Sequence, residues 1–486
     1  MKHMLIFYGV PSRRLRIAFA AASVVVLGGC ASLSPDAGLS DVQTLVTGKT
    51  GPVDARLATA DKAKSAPVAV ADLLKEPVTA ESAVRIALLN NPGMQGSLAT
   101  LGVSDALRVQ AGSLPNPHFA IGRFRMGDEV EIERLLSFNL IGLLSLPWKA
   151  QWQNQQHELA KLQAAQDVIR LAADTRKAWI VAVAAAQSAS YMQDVKEAAE
   201  AGGELARRMV KVGNWSKLRQ AREQLTLNDA TVQLARSQQA AFVAREKLNR
   251  LMGLWGAQTN YRLAERLPDL PKNVQQIADV EARALRERLD VRSAMAEATY
   301  VAGQQGFNKV TGYLDGLTLS ASRSSVLDNA AQTRESRRGV ELELPLPIFD
   351  WGGARNARSQ AMYMQSVARV QGVAVNARSE ARQAYFGYRT AYDLARHYRD
   401  EMVPLRKFIG DEMLLRYNGM LASVWDLLAD SRAQVLAVNS SIEVQRDFWL
   451  AETVLQTALT GTSPGASGGA VAGAASGGGG DAAAGH

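Results

Sequence analysis

The chain has one cysteine, Cys30, which excludes any disulfide within it. Its five histidines, His3, His118, His157, His397 and His486, are too scattered to give metal-ligand spacing, so no metal site is expected. No glycine-rich phosphate loop follows a strand pattern. Gly202-Gly203 lies inside a helical run, and Gly352-Gly353 marks the entry from a strand into a helix. With no metal-ligand set or nucleotide loop to build on, enzyme chemistry is not expected, and neither is a cofactor. Aromatic residues make up only 6% against 47% hydrophobic, a composition rich in Ala, Gln, Arg and Leu that fits coiled coils better than compact enzymes. Proline is missing altogether between Pro147 and Pro268.

The formal net charge of +8 falls to +4 once Lys2, Arg13, Arg14 and Arg16 are set aside as parts of an export-type N-terminal segment. The remaining bases are interleaved with acids, as in Arg245, Glu246, Lys247 and Arg250. That is the pattern of a solvated helix face, so no nucleic-acid partner is expected. The apolar run from Ile17 to Leu27 is shorter than the about 20 residues needed to cross a bilayer. It leads into Leu27-Gly28-Gly29-Cys30, which resembles a bacterial lipoprotein signal: residues 1–29 would be removed and Cys30 would carry the covalent lipid. By analogy with lipoprotein sorting, Ala31 after the cysteine points to the outer membrane, and several acyl chains on one residue anchor firmly where one would not.

Beyond Cys30, residues 30–78 lack sustained periodicity and read as an extended arm. Two copies of one pattern follow, over 79–268 and 269–460, and then a Gly/Ala-rich tail, 461–486, too poor in large apolar side chains to offset its ordering entropy. Each copy opens with a helix. Thr79 and Ser82 resemble a cap, and the stripe of Val84, Ala87, Leu88, Leu98 and Leu101 is interrupted at Asn90-Asn91-Pro92. Ala284-Leu285 through Leu289, with Met295-Ala296, repeats it.

Each copy then changes period. Val130, Ile132, Leu136, Phe138 and Leu140 share one face, while Glu129, Glu131, Glu133, Ser137 and Asn139 share the other. In the second copy Val340, Leu342, Leu344 and Leu346 alternate with Glu341 and Glu343. Leu317, Leu319 and Ala321 alternate with Thr318, Ser320 and Ser322. His118 to Met126 supplies a fourth strand of poorer pattern. Soluble antiparallel sheets alternate in the same way, so the pattern alone does not decide for a lipid-facing barrel.

Past Leu146-Pro147 and Leu346-Pro347 come the long helical runs, which fold back at Gly213 and Gly419. Leu227, Leu234, Ala241 and Leu248, and likewise Leu421, Leu428, Val435, Ile442 and Trp449, recur every seven residues, as in knobs-into-holes seams. The first turn is basic, with Arg207, Arg208, Lys211, Lys217, Arg219 and Arg222. The second carries Asp426 and Asp430. Trp215 and Met420 lie at the two turns, where each is a candidate either for contact with a partner or for a buried staple.

Helix, two strands and a long helical hairpin, duplicated behind a lipoprotein-type signal, resemble the TolC-type outer-membrane factor family. The resemblance rests on Leu114-Pro115-Asn116-Pro117 before the first strand, on Leu344 to Gly353 where the second sheet segment enters its helix, and on Tyr417 to Asp426 at the second turn. It implies an α+β membrane protein: a homotrimer whose chains each give four strands to a twelve-stranded β-barrel and their coiled-coil hairpins to a periplasmic tunnel. It further implies an efflux duct coupled through a periplasmic adaptor to an inner-membrane pump of RND or ABC type. On that reading Glu129, Glu131, Glu341 and Glu343 face the aqueous lumen. Gly213, Trp215, Tyr417, Gly419 and Met420 form the adaptor-contact turns, and Asp426 and Asp430, paired with Arg219 or Arg222, close the resting periplasmic gate. Two departures stand out: Ala429 occupies the place where a second acid often occurs, and the turn glycine falls one position early, at Gly419. The competing reading is an outer-membrane-tethered coiled-coil structural or adaptor lipoprotein without a pore, which would need no strands.

Overall fold

Proline and glycine punctuate this chain, and the computed structural model follows them. It describes residues 32–49, 66–311, 317–328, 330–344, 348–349 and 351–463. Cys30, the segment 1–29, Leu346-Pro347 and the tail from 464 onward lie outside the described residues. Helices α1 (Leu39–Val46), α2 (Ala66–Leu73), α3 (Ala80–Asn90) and α4 (Pro92–Ala111) lead to strands β1 (His118–Met126) and β2 (Glu129–Asn139). A short α5 (Leu140–Leu144) precedes the 66-residue α6 (Leu146–Lys211) and its return, α7 (Lys217–Met252). The second copy runs through α8 (Val280–Glu287), α9 (Leu289–Thr311), β3 (Thr318–Asp328), β4 (Thr333–Glu343), α10 (Gly353–His397), α11 (Val403–Asn418) and α12 (Val424–Thr460). Between α10 and α11 the helix widens to a π turn over Tyr398–Met402. Pro404 in the first turn of α11 has no N–H to return to the preceding turn, which accounts for the local widening.

The chain divides into two compact units. One holds residues 1–38, 100–160 and 296–367 and contains the sheet. Its strands pair antiparallel in the order β1-β2-β3-β4, so β1 and β4 each have a single partner among the described residues. In the same unit the buried Asp105 carboxylate accepts from the backbone N–H of Ser34 at 2.8 Å and from Arg108 Nε at 2.8 Å.

The other unit holds residues 39–99, 161–295 and 368–486 and carries two apolar cores. In the first, Ile86, Val183, Leu248, Met252 and Leu267 surround Trp179, whose indole N–H donates to the Val78 carbonyl at 2.8 Å. The alanine run of α6 contributes Ala182 and Ala184, small enough to let helices close in. In the second core Phe448 packs between Tyr388, Tyr392 and Trp449, with ring centroids 5.6, 5.7 and 5.1 Å away.

Several expectations need correction. The stretch 30–78 is not simply extended: α1 buries Leu39, Val42 and Val46, which share a face at helical spacing too short to show in a long window. Leu140 begins α5 rather than ending β2, because Asn139 caps that helix by accepting from the Gly142 N–H at 2.7 Å. β3 and β4 reach well beyond the segments read as strands, to Asp328 and back to Thr333, and Leu344 lies just past the end of β4. Leu421 is not in the helical seam; it sits in the turn and is 83% exposed.

Candidate functional site

The strand register sorts side chains onto two faces, since paired residues in an antiparallel sheet point the same way. Glu131 pairs with Phe124 and Val326, Glu341 with Ser320, and Glu343 with Thr318. Followed across the sheet, this puts all seven strand carboxylates, Glu129, Glu131, Glu133, Asp328, Glu335, Glu341 and Glu343, on one face. The four acids expected to share a face do so. The opposite face carries Phe119, Ile121, Val130, Ile132, Leu136, Phe138, Leu319, Val340 and Leu342, and it bears no acid. One surface therefore suits water, and the other suits hydrocarbon in its two rows next to the helices, while six arginines stand in its three rows nearer the turns.

The second feature is the pair of hairpin tips, which lie in the other unit and share one skeleton. At the first, Gly213 has φ +81°, its N–H donates to the Val210 carbonyl, and Asn214 N–H donates to Met209. At the second, Met420 N–H donates to the Tyr417 carbonyl and Leu421 N–H to Arg416. Both are Schellman-type helix ends. Met420 is thus the structural counterpart of Gly213 and takes φ +60°, while Gly419 keeps an ordinary φ of −82°. The early glycine noted in the sequence leaves a methionine in the left-handed position. Met420 is 94% exposed, Trp215 and Tyr417 are half-buried, and Gly213 and Gly419 are exposed.

Each turn ends in a serine N-cap. Ser216 Oγ accepts from Arg219 N–H at 3.3 Å, and Ser423 Oγ accepts from Asp426 N–H at 3.3 Å. Arg219 and Asp426 hold the same third helical position with opposite charge. Asp426 completes a capping box, its Oδ2 accepting from Ser423 Oγ at 2.7 Å and from Ser423 N–H at 3.1 Å, and these bonds hold its pKa below the usual aspartate value.

The expected gate pairing does not form within the chain. Asp426 is engaged by Ser423, and Asp430 meets Arg406 of α11, with Nη1 and Oδ1 3.9 Å apart; neither carboxylate meets Arg219 or Arg222. An ion pair that does link the two hairpins has the reverse polarity: Arg432 of α12 reaches the buried Glu223 of α7 at 3.2 Å and Thr226 Oγ1 at 2.8 Å. Glu223 and Asp430 are equivalent positions, each opposite a helical glycine. A Cβ on Gly202 would stand 3.8 Å from Glu223 Oε2, and one on Gly410 would stand 3.5 Å from Asp430 Oδ2. Sequence reasoning passed over these acids' neighbours. The signal that was present is the repeat itself, Gly203 with Leu227 in one hairpin matching Gly410 with Gln434 in the other.

Among the described residues no cluster of metal-ligating side chains occurs, and no helix is long and apolar enough to cross a membrane.

Duplicated helix, paired strands and long hairpin, with an open antiparallel sheet, define the fold of outer-membrane channel proteins. Among solved structures of that fold, the outer-membrane channel OprN is 17% identical (TM-score 0.63, 86% of this chain and 95% of that one). The Campylobacter jejuni CmeC outer membrane channel is 14% identical (0.60, 82% and 85%). The Neisseria gonorrhoeae MtrE outer membrane channel, solved in an open state, is 17% identical (0.63, 79% and 89%). No protein-family model matches the sequence, and no curated protein matches it.

Proposed function

We propose that the chain is the outer-membrane exit duct of a tripartite efflux system, working as a homotrimer with a periplasmic adaptor and an inner-membrane pump. The observation that carries this reading is the open four-stranded sheet with one acidic face and one acid-free face that is apolar in the rows next to the helices. Four strands are too few to close, and an edge left open in lipid would strand backbone groups at a cost of several kcal/mol each. Three copies supply twelve strands, remove every edge, and turn the acidic face onto a water-filled lumen that attracts cations. A pore-less rod gives no reason for paired strands of this kind, and the fold shared with OprN, CmeC and MtrE favours the duct.

On this reading Cys30 carries the lipid that tethers the chain, and the exposed turns around Gly213 and Met420 meet the adaptor. The gate is an assembly property. With Asp426 held by Ser423 in each chain, three copies present a ring of carboxylates, and the Arg432–Glu223 pair locks the two hairpins of one chain together. The test is purification from membranes, followed by heat-dependent mobility on gels and conductance across a planar bilayer. A trimer that unfolds on heating and conducts is expected. A stable monomer that passes no current sinks the proposal.

A further inference from the structure

The apolar sheet face is apolar over only part of its height. In the two rows next to the helices it is wholly so, with Phe119, Leu136 and Val340 among its members. In the three rows nearer the β1–β2 and β3–β4 turns it carries six of the seven strand arginines. Arg134, Arg323 and Arg338 pair directly across three adjacent strands. Arg123, Arg125 and Arg334 occupy the two rows above. All six are exposed, and Arg123, Arg134, Arg323, Arg334 and Arg338 form no ion pair among the described residues. Every strand acid is on the opposite face, so the sheet itself offers these cations nothing.

Like charges directly opposite one another destabilise a sheet. An arginine facing hydrocarbon costs about 2–4 kcal/mol at the bilayer midplane and about 0–1 near its edge. Both costs require the arginine rows to sit outside the hydrocarbon with a counter-anion between them. Successive rows are about 6.7 Å apart along a strand, and less in height once the strands tilt, so two apolar rows cover well under the about 25 Å of a barrel's apolar band. The remainder is available below, where Leu143, Leu144, Trp148, Leu344, Ile348 and Phe349 are all strongly exposed. The hydrocarbon band is then centred near the strand–helix junctions, and the arginines stand at the level of the head groups on the turn side.

We infer that this face binds a phosphorylated glycolipid of lipid A chemistry in the outer leaflet, its acyl chains on the Phe119, Leu136 and Val340 rows and its phosphates on the Arg134–Arg323–Arg338 row. Guanidinium forks match phosphate oxygens two at a time, and three of them at strand spacing, about 4.8 Å apart, span about 10 Å. The inference rests on the duct reading, which puts the turns at the cell exterior.

The test uses the full-length trimer in detergent, titrated with bisphosphorylated lipid A, with the same lipid stripped of phosphate, and with inorganic phosphate alone. Binding is read by native mass spectrometry and by the shift in heat-dissociation temperature. The intact lipid should bind at least tenfold more tightly than either control. Changing Arg134, Arg323 and Arg338 together to Gln should remove that preference, changing them to Lys should retain most of it, and Arg337→Gln, on the acidic face, should leave it alone. If the triple Gln variant does not assemble, Arg323→Gln, in the middle of the row, serves with a severalfold loss expected. Equal binding of the stripped lipid, full binding of free phosphate, or a Gln variant indistinguishable from the parent overturns the inference. Conductance separates the two readings: a conducting trimer without lipid preference loses only the lipid site, whereas a non-conducting monomer loses the duct.

Discussion

The first and second copies build the same junction from different chemistry. In the first, the break between α3 and α4 is held by amides: Asn90 Nδ2 donates to the carbonyls of Met252 and Gly253 at 3.1 and 2.8 Å, and Asn91 Nδ2 donates to Leu251 at 2.9 Å. In the second, the break between α8 and α9 is held by Arg288, 1% exposed, which meets Asp290 at 2.6 Å, Glu380 at 2.8 Å and the Ala458 carbonyl at 3.4 Å. Both fasten the end of a long returning helix to the start of their copy. A neutral amide leaves nothing charged behind if it is lost. A buried guanidinium between two carboxylates does, so duplication preserved the joint while making one of its two versions far less tolerant of change.

The largest expected effect follows directly. Arg288→Met should cost about 3–5 kcal/mol, because Asp290 and Glu380 lose their counter-charge in a largely dry site. Asn91→Ala should cost about 1–2 kcal/mol, since it removes one bond to Leu251 and the cap that accepts from Met94 N–H at 3.1 Å. Thermal unfolding followed by circular dichroism measures both. Equal losses would show that the charged joint is no more critical than the neutral one.

Much of this architecture is legible in the sequence, and particular residues show where legibility ends. The helix breaks at Asn91-Pro92 and Gly213, the Thr79–Ser82 cap and all four strands follow from local chemistry, with both halves of the Thr79–Ser82 capping box present. Long-range pairings do not. Nothing local in Arg288 tells that it lies beside Glu380, 92 residues away, and nothing in Arg432 tells that Glu223 is its partner. The β3–β4 extension was missed because Arg334, Arg337 and Arg338 break the apolar alternation on which a strand reading depends, although their backbone pairs regularly. In the candidate tip site, the sequence identified the turns and the two acids, but charge alone did not show that within one chain Asp426 is held by Ser423 and Asp430 faces Arg406.

A smaller effect separates the two turns. Gly213 and Met420 hold the same left-handed position, and a Cβ on Gly213 would meet nothing within 4 Å, so only backbone strain is at issue there. Gly213→Ala should destabilise the first hairpin by about 1 kcal/mol, and Met420→Gly should stabilise the second by about the same amount, offset in part by the greater unfolded-state freedom of glycine. Amide exchange over the last turns of α6 and α11 reports each separately. Opposite signs support the equivalence of the positions, and a shared sign breaks it.

The smallest effect distinguishes the turns by pH. The Ser423 hydroxyl and backbone N–H hold the Asp426 pKa below the usual aspartate value, so its contribution to the cap of α12 is fully present above that usual value. It is lost as pH falls through the depressed folded value, when the carboxylate takes up a proton and accepts less well. Arg219 in the same position of α7 brings no carboxylate to that cap, which should show no such dependence. Protection of the amides at 424–427, corrected for intrinsic exchange, should therefore weaken on acidification below about pH 4, while that at 217–220 stays level. Asp426→Asn should flatten the first profile into the second. If both turns lose protection together in the parent protein, acid is loosening the hairpins as a whole, and the capping box is not what sets the second tip apart.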